Sequence, residues 1–327
     1  MTEDASRSPA GPSISVVVCT KNRAATLEAC LDSLQASRTP RTTAEVIVVD
    51  NGSTDRTAHS VQTRRHDPLP VRYILEERPG LPNARNRGWQ AAEHPIVFFV
   101  DDDATVDPEA VQALSDAYAA FWDDTSPIVL GARVLADLPN GVTEPEWLSA
   151  EYRPYLTQLD LGDEDRVLQD QECLVGAGFS VPGKTLESIG GFNPSLGGYG
   201  MDERWIETRV REVGGHLVYC GSVVVFHPIV EDRLRVPWFR TRLYQEGRAW
   251  KLMQWELGRL PATRWVTMGV RHTAGLVLHS GLSFAMRLTG RRKKAFSEMC
   301  RSAFCLGCLA AHGRILTRTG PARRETE

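Results

Sequence analysis

The sequence predicts an α/β protein, with a sheet flanked by helices and a helical extension at its carboxyl end. Three observations carry this. Short apolar runs alternate with segments of helical spacing four times in the first hundred residues or so, the rhythm of βαβ units and a parallel sheet. The runs are continuously apolar rather than alternating, as in strands covered on both faces. Each of the first, second and fourth runs ends in polar or acidic residues, and in open parallel sheets ligands bind outside the carboxyl ends of the strands.

Residues 1–13 are small and polar with two prolines, and disorder is expected there. Residues 14–19 (ISVVVC) form the first strand, running into Thr20, Lys21, Asn22 and Arg23. Leu27, Leu31 and Leu34 then mark a helix by their spacing. Residues 45–49 (EVIVV) are the second strand and end in DNGSTD, with Ser53 or Thr54 placed to cap the following helix. Residues 71–75 are the third strand. The turn PGLP leads to a helix over 83–92 carrying Arg85 and Arg87. No GxGxxG follows the first strand and no GxxxxGK[ST] occurs anywhere, which argues against a dinucleotide cofactor and a P-loop.

The fourth strand, residues 96–100 (IVFFV), runs straight into Asp101, Asp102 and Asp103. Three carboxylates within about 7 Å of chain repel one another unless a cation lies among them. Oxygen ligands favour Mg²⁺ or Mn²⁺, and Mg²⁺ binds through one or two carboxylates plus substrate phosphates. The triplet therefore fits a metal–diphosphate site. It equally fits an acidic turn capping the helix begun by Pro108.

Further on, residues 108–120 read as a helix and 127–135 as a strand. Residues 137–170 read as an irregular loop placed to meet an acceptor, rich in Pro, Gly and acidic groups. Residues 172–179 read as a strand whose backbone, at Gly176 and Gly178, is approached closely by a ligand or forms a bulge. A short helix covers 184–189. GGYG precedes a helix over 201–213 with Asp202 and Glu203 in its first turn. Carboxylates there complement the positive end of a helix dipole, and either one can also serve as a general base. His227 ends the apolar run 223–226. It reads as a satisfied structural histidine or as a metal ligand.

The runs SVVVCTKNR, EVIVVDNGSTD, PGLPNARNRG and FFVDDD occur in that order. ECLVGAGFSVPGKTLESIGGFNP, GMDERWIETRVREVGG and VVVFHP follow. Together they resemble the family 2 glycosyltransferases of GT-A fold, with a Rossmann-like mixed sheet that binds a nucleotide sugar. The resemblance spans roughly residues 14–230. It implies a GT-A catalytic domain over 14–230 (a nucleotide-binding half, 14–103, and an acceptor half, 104–230) and a basic helical region over 231–327. It implies transfer of a sugar, with inversion, from a UDP-, GDP- or dTDP-sugar to a hydroxyl or amine of a glycan, lipid-linked or small-molecule acceptor. Asp50 is then expected at the base, Thr20, Asn22 and Arg23 around the nucleoside, and Arg85 near the base or diphosphate. Asp101 and Asp102 are expected at the donor, Asp103 with Asp101 and His227 at a Mn²⁺ or Mg²⁺ ion, and Asp202 or Glu203 as the base. The family order at the last place is Glu-Asp, whereas here it is Asp-Glu. Counting back from Arg209 and Arg211 puts Glu203 on the base position.

Two other functions share the nucleotide-binding sheet. A sugar-1-phosphate nucleotidyltransferase would carry a Gly-rich basic loop after the first strand, where TKNR stands. A non-catalytic nucleotide-sugar or glycan-binding protein would need no separate carboxylate. The basic tail carries no nucleic-acid-binding motif.

Charge is unevenly spread. Residues 251–327 hold 14 Lys and Arg against 4 Asp and Glu, while the other 250 residues hold 24 against 37. The acidic body and basic end suggest contact with an anionic surface. Arg233, Arg235, Arg240 and Arg242 suit a diphosphate or a coated helix surface. The apolar segments 274–286 and 300–311 flank Arg291, Arg292, Lys293 and Lys294. The first, at 13 residues, is too short to span a bilayer. Such helices lie in an anionic interface or pack on the catalytic domain. Seven scattered cysteines and the lack of a secretory signal pattern suggest free thiols in the cytoplasm, at the inner face of a membrane if those helices touch one.

Overall fold

A computed structural model describes residues 11–64, 69–122, 125–197, 201–259 and 262–318. Residues 1–10 of the segment expected to be disordered and most of the GGYG turn fall outside the described residues, whereas 11–13 are placed, with the Pro12 carbonyl accepting from the Thr42 and Ser115 hydroxyls. The chain divides into two compact units. The first comprises residues up to Asp137, Thr157–Gly197 and Asp202–Pro228; the second comprises Leu138–Leu156, Gly198–Met201 and the chain from Ile229.

The first unit is a nine-stranded mixed sheet with helices on it. Strands β1 (Ile14–Thr20), β2 (Ala44–Asp50), β3 (Val71–Leu75) and β4 (Ile96–Asp101) are parallel, in the order β3-β2-β1-β4. They alternate with α1 (Ala24–Gln35), α2 (Thr57–Gln62) and α3 (Leu81–Gln90). Every residue of β2 and nearly every one of β1 and β4 is buried, which is why their sequences lack a polar face. The register sets Thr20 opposite Asp50 and Cys19 opposite Asp101, so the polar strand ends share one rim.

Beyond β4 the sheet turns mixed. β5 (Thr105–Val106) and α4 (Ala110–Phe121) precede β6 (Ile128–Asp137), β7 (Arg166–Val167) and β8 (Gly178–Pro182). Then come α5 (Gly183–Ile189), α6 (Met201–Glu212) and β9 (His216–Pro228). β8 runs antiparallel between β4 and β6, and β9 carries β5 on its far side.

Two local expectations are corrected. Residues 172–177 are not strand; β8 starts at Gly178. Side chains satisfy the backbone before it in place of a ladder: Leu174 N donates to Glu207 (2.9 Å), and Arg211 donates to the carbonyls of Gln169, Asp170 and Glu172. Helix α3 starts two residues early, at Leu81, since Pro82 in a first turn has no N–H to lose. The 137–170 stretch also holds a 3₁₀ turn (Ala150–Leu156) as well as β7.

The second unit is helical: α7 (Val236–Glu256), α8 (Ala262–Leu288) and α9 (Arg292–Arg318). α7 and α9 cross closely at glycines. A Cβ on Gly307 would meet the Tyr244 carbonyl at 1.9 Å and one on Gly247 the Phe304 carbonyl at 2.1 Å. Trp147, Phe239 and Phe296 pack with ring centroids 4.5–5.8 Å apart. Arg242 is half of an internal pair with Glu246 (2.6 Å) rather than a surface coat.

Candidate active site

The rim of β1, β2 and β4 gathers most of the residues singled out from sequence. Asp50, buried at the end of β2, accepts from Ser53 N (2.7 Å) and from the Tyr73 hydroxyl (2.8 Å). Asn22 adopts a left-handed φ of 54° and accepts from Thr54 N at 2.7 Å, which ties the first strand end to the DNGSTD turn. Thr20 donates to Asp102 at 2.7 Å, and Arg23 spans Asp102 (2.6 Å) and Asp103 (3.1 Å). Asp102 is thus the buried, structural member of the triplet. Burial raises its pKa, while Thr20 and Arg23 pull the other way.

Asp101 lies beside Arg85, and Asp103 reaches His227 as well as Arg23. The antiparallel β5–β9 pairing, Thr105 opposite Phe226, brings His227 beside the acidic turn. His227 Nε2 lies 3.4 Å from Asp103 Oδ1. One ligand atom each from Asp101, Asp103 and His227 fall within 4.8 Å of one another. Two carboxylate oxygens and an imidazole nitrogen fit Mn²⁺ or Mg²⁺, the former tolerating nitrogen better. His227 turns Nε2 toward Asp103, and its buried Nδ1 has no hydrogen-bond partner among the described residues. Burial pushes Asp101 up to about 6, against Arg85 and His227. A third of its side chain meets solvent, which tempers that push.

Behind this cluster Arg85 is buried among Phe99, Phe179 and Phe192, its guanidinium carbon 5.3–6.0 Å from the three ring centroids. Its Nη1 donates to Asp202 at 2.5 Å and to Glu203 at 2.8 Å, and Nη2 lies 3.6 Å from Asp101. Burial works against the charge, but Glu203, Asp202 and Asp101 outweigh it and hold the guanidinium above its ordinary range. Asp202 is driven up to about 7, first by burial and then by Glu203, with Arg85 opposing.

Asp202 and Glu203 differ in what they leave over. Glu203 Oε2 is buried with no hydrogen-bond partner among the described residues, an uncommitted acceptor. Gly176 makes space for it, since a Cβ there would fall 1.8 Å from Glu203 Oε1. The close approach expected of a ligand at Gly176 is made instead by a protein carboxylate. Gly178 admits Val225, whose Cγ2 would lie 2.9 Å from its Cβ.

Sequence reasoning missed Tyr73, Asn51 and Glu207. Tyr73 reads as core in an apolar strand. Asn51, which donates to the Glu76 and Arg78 carbonyls and accepts from Gly80 N, fixes the PGLP turn. Its only signal is its place inside DNGSTD. Glu207 is a mid-helix acid whose role emerges only once residues 172–177 are seen as a loop.

Residues 15–167 match the model of glycosyl transferase family 2. The chain is similar to validoxylamine A glucosyltransferase of Streptomyces hygroscopicus subsp. jinggangensis, at 34% identity over 222 residues, 62% of this chain and 52% of that one. It spans about half the length of the curated relatives it matches first. Among solved structures it resembles the mannosyltransferase PcManGT from Pyrobaculum calidifontis in complex with GDP-Man and Mn²⁺. The TM-score is 0.55 at 19% identity, covering 95% of this chain and 76% of that one. GalNAc-T7 with UDP, GalNAc and Mn²⁺ gives a TM-score of 0.54 at 17% identity, over 73% of this chain and 48% of the other. At these identities the structural likenesses speak for the fold.

Proposed function

We propose, from the match of residues 15–167 to glycosyl transferase family 2 and the likeness in fold to solved GT-A glycosyltransferases, that the chain transfers a sugar from a nucleotide diphosphate donor to an acceptor hydroxyl, inverting the anomeric centre. The observation that carries this is the gathering of Asp101, Asp103 and His227 within 4.8 Å on the rim that also holds Asp50 and Thr20. Glu203 is linked to that cluster through Arg85, which reaches Asp101. A binding protein would need the rim; the second, uncommitted carboxylate suits a reaction.

In this reading residues 14–103 bind the nucleotide and 104–230 present the acceptor. Asp50, held by Ser53 and Tyr73, receives the base, and Thr20, Asn22 and Arg23 frame the nucleoside. Asp102 keeps Arg23 in place, and Arg85 orients both carboxylates of α6. Glu203 Oε2 takes the acceptor proton as the acceptor oxygen bonds the anomeric carbon and the bond to the diphosphate breaks, its electrons leaving with the diphosphate. Asp202, committed to Arg85, positions rather than reacts. Asp101, Asp103 and His227 would hold Mn²⁺ or Mg²⁺, which supplies neutralisation of the charge left on the diphosphate. The seven free thiols fit a reducing, cytoplasmic setting.

The test is a panel of UDP-, GDP- and dTDP-sugars, read by Mn²⁺-dependent thermal shift and slow donor hydrolysis. One donor class should stabilise and be hydrolysed by the wild type, and Asp103→Ala should lose about tenfold or more of both. If no donor acts with any divalent metal, the reading fails. Synthesis of a nucleotide sugar from a nucleoside triphosphate and a sugar 1-phosphate would replace it with the nucleotidyltransferase.

A further inference from the structure

Helix α8 in the second unit presents one face to its neighbour and leaves the opposite face bare. His279 meets Glu298 of α9 at 2.6 Å, Ser283 donates to the Ala295 carbonyl at 2.8 Å, and His272 is buried beside Trp250 of α7. On the other side, Val266, Val270, Val277, Phe284 and Leu288 are each 65–73% exposed. They follow one another at steps of four, seven, seven and four, which returns every one to within about 40° of the first. Thr273, Ala274 and Gly281 fill the gaps with small residues, and exposed Leu278 widens the stripe. The sequence alone shows no such separation, because the packed face mixes the polar His272, His279 and Ser283 with apolar residues while the bare face is apolar.

A contiguous bare stripe of large aliphatic and aromatic side chains marks a contact surface. The charge around it says what kind. From Leu257 to Ser297 there are 41 residues without one Asp or Glu, holding eight Lys and Arg. Five of these, Arg287, Arg291, Arg292, Lys293 and Lys294, are exposed at the end of the stripe where α8 turns into α9. A second copy docking through this face would set two such positive stretches against each other. No helix among the described residues is long and apolar enough to cross a membrane. We propose that α8 lies on an anionic lipid surface, its Val266–Leu288 stripe entering the acyl boundary and the Arg287–Lys294 cluster resting on the headgroups.

The experiment is flotation of the full chain with vesicles of neutral phosphatidylcholine, with and without about one third phosphatidylglycerol, at ~50 and ~500 mM salt. The wild type should float about tenfold or more with the anionic vesicles at low salt and lose most of that at high salt. Val270→Ser/Val277→Ser/Phe284→Ser, which alters only exposed positions, should lose most of the binding. So should Arg291→Gln/Arg292→Gln/Lys293→Gln/Lys294→Gln. Light scattering without lipid should show a monomer for the wild type and both variants. No flotation at low salt overturns the proposal. So does a wild-type dimer that the serine variant dissolves, or serine substitutions that leave binding unchanged. Vesicle binding and donor hydrolysis are separate readouts, so failure here leaves the transferase reading standing.

Discussion

Gly176 and Glu203 share a space that admits only one side chain: a β-carbon on the glycine would sit 1.8 Å from Glu203 Oε1. Gly176→Ala must therefore displace the carboxylate, because the backbone at 176 is tied in by the Leu174–Glu207 bond two residues away. Misplacing a reacting group by about 1 Å can cost about 10²-fold in rate. The expected result is a kcat lowered by roughly that factor with nucleotide affinity unchanged, since the Asp50 end of the rim is untouched. Steady-state kinetics beside nucleotide titration would read the split.

The two α6 carboxylates should separate on amide substitution. Glu203→Gln removes the uncommitted lone pair and is expected to lower turnover by about 10²–10⁴-fold. Asp202→Asn keeps an acceptor for Arg85 and relieves one buried charge, so its turnover should stay within about tenfold of wild type. Equal loss in both, or none in either, would remove Glu203 from the base role.

Much of this arrangement was legible in the sequence, for a physical reason. Strands buried on both faces, such as residues 96–100, announce themselves as unbroken apolar runs, and the polar residues after them mark the rim. Asp101, Asp103 and His227 could be proposed as partners, but what joins them is the two-residue β5 pairing with β9, too short to leave a pattern. Arg85 could be placed only near the donor, because nothing local reveals that a helix charge will be buried among three aromatic rings. The segment 172–177 misled for a related reason. Its apolar, small composition suits a strand, yet its hydrogen bonds go to the distant side chains of Glu207 and Arg211.

Arg85 should be the most costly side chain to lose. Arg85→Met fits among Phe99, Phe179 and Phe192 but leaves Asp101, Asp202 and Glu203 with no buried counter-charge. Breaking a buried pair from one side costs about 3–5 kcal/mol. Urea unfolding should show a loss of that size at pH 7.5 that shrinks toward pH 5, where Asp101 and Asp202, both raised by burial, can protonate. A deficit independent of pH would mean that lost packing, not unpaired charge, is the cause.

Glu207 gives a pH dependence with a definite sign. Burial raises its carboxyl from 4.5 to about 7, with Arg204 and the Leu174 N–H opposing. A folded pKa above the unfolded one means the native state binds the extra proton between those values. The group's contribution to stability is therefore full below pH 4.5 and lost as pH rises through about 7. A shift of that size corresponds to roughly 3 kcal/mol. Glu207→Gln keeps an acceptor for Leu174 N and frees Arg204, 29% exposed, to turn to water. Other titrating groups are common to both proteins and cancel in the difference between them. The stability of Glu207→Gln minus wild type, from urea unfolding at pH 5, 6, 7 and 8, should climb across pH 5–7 and level off above it. A flat difference would mean that the carboxylate is already ionised in the folded chain, held so by Arg204 despite its burial.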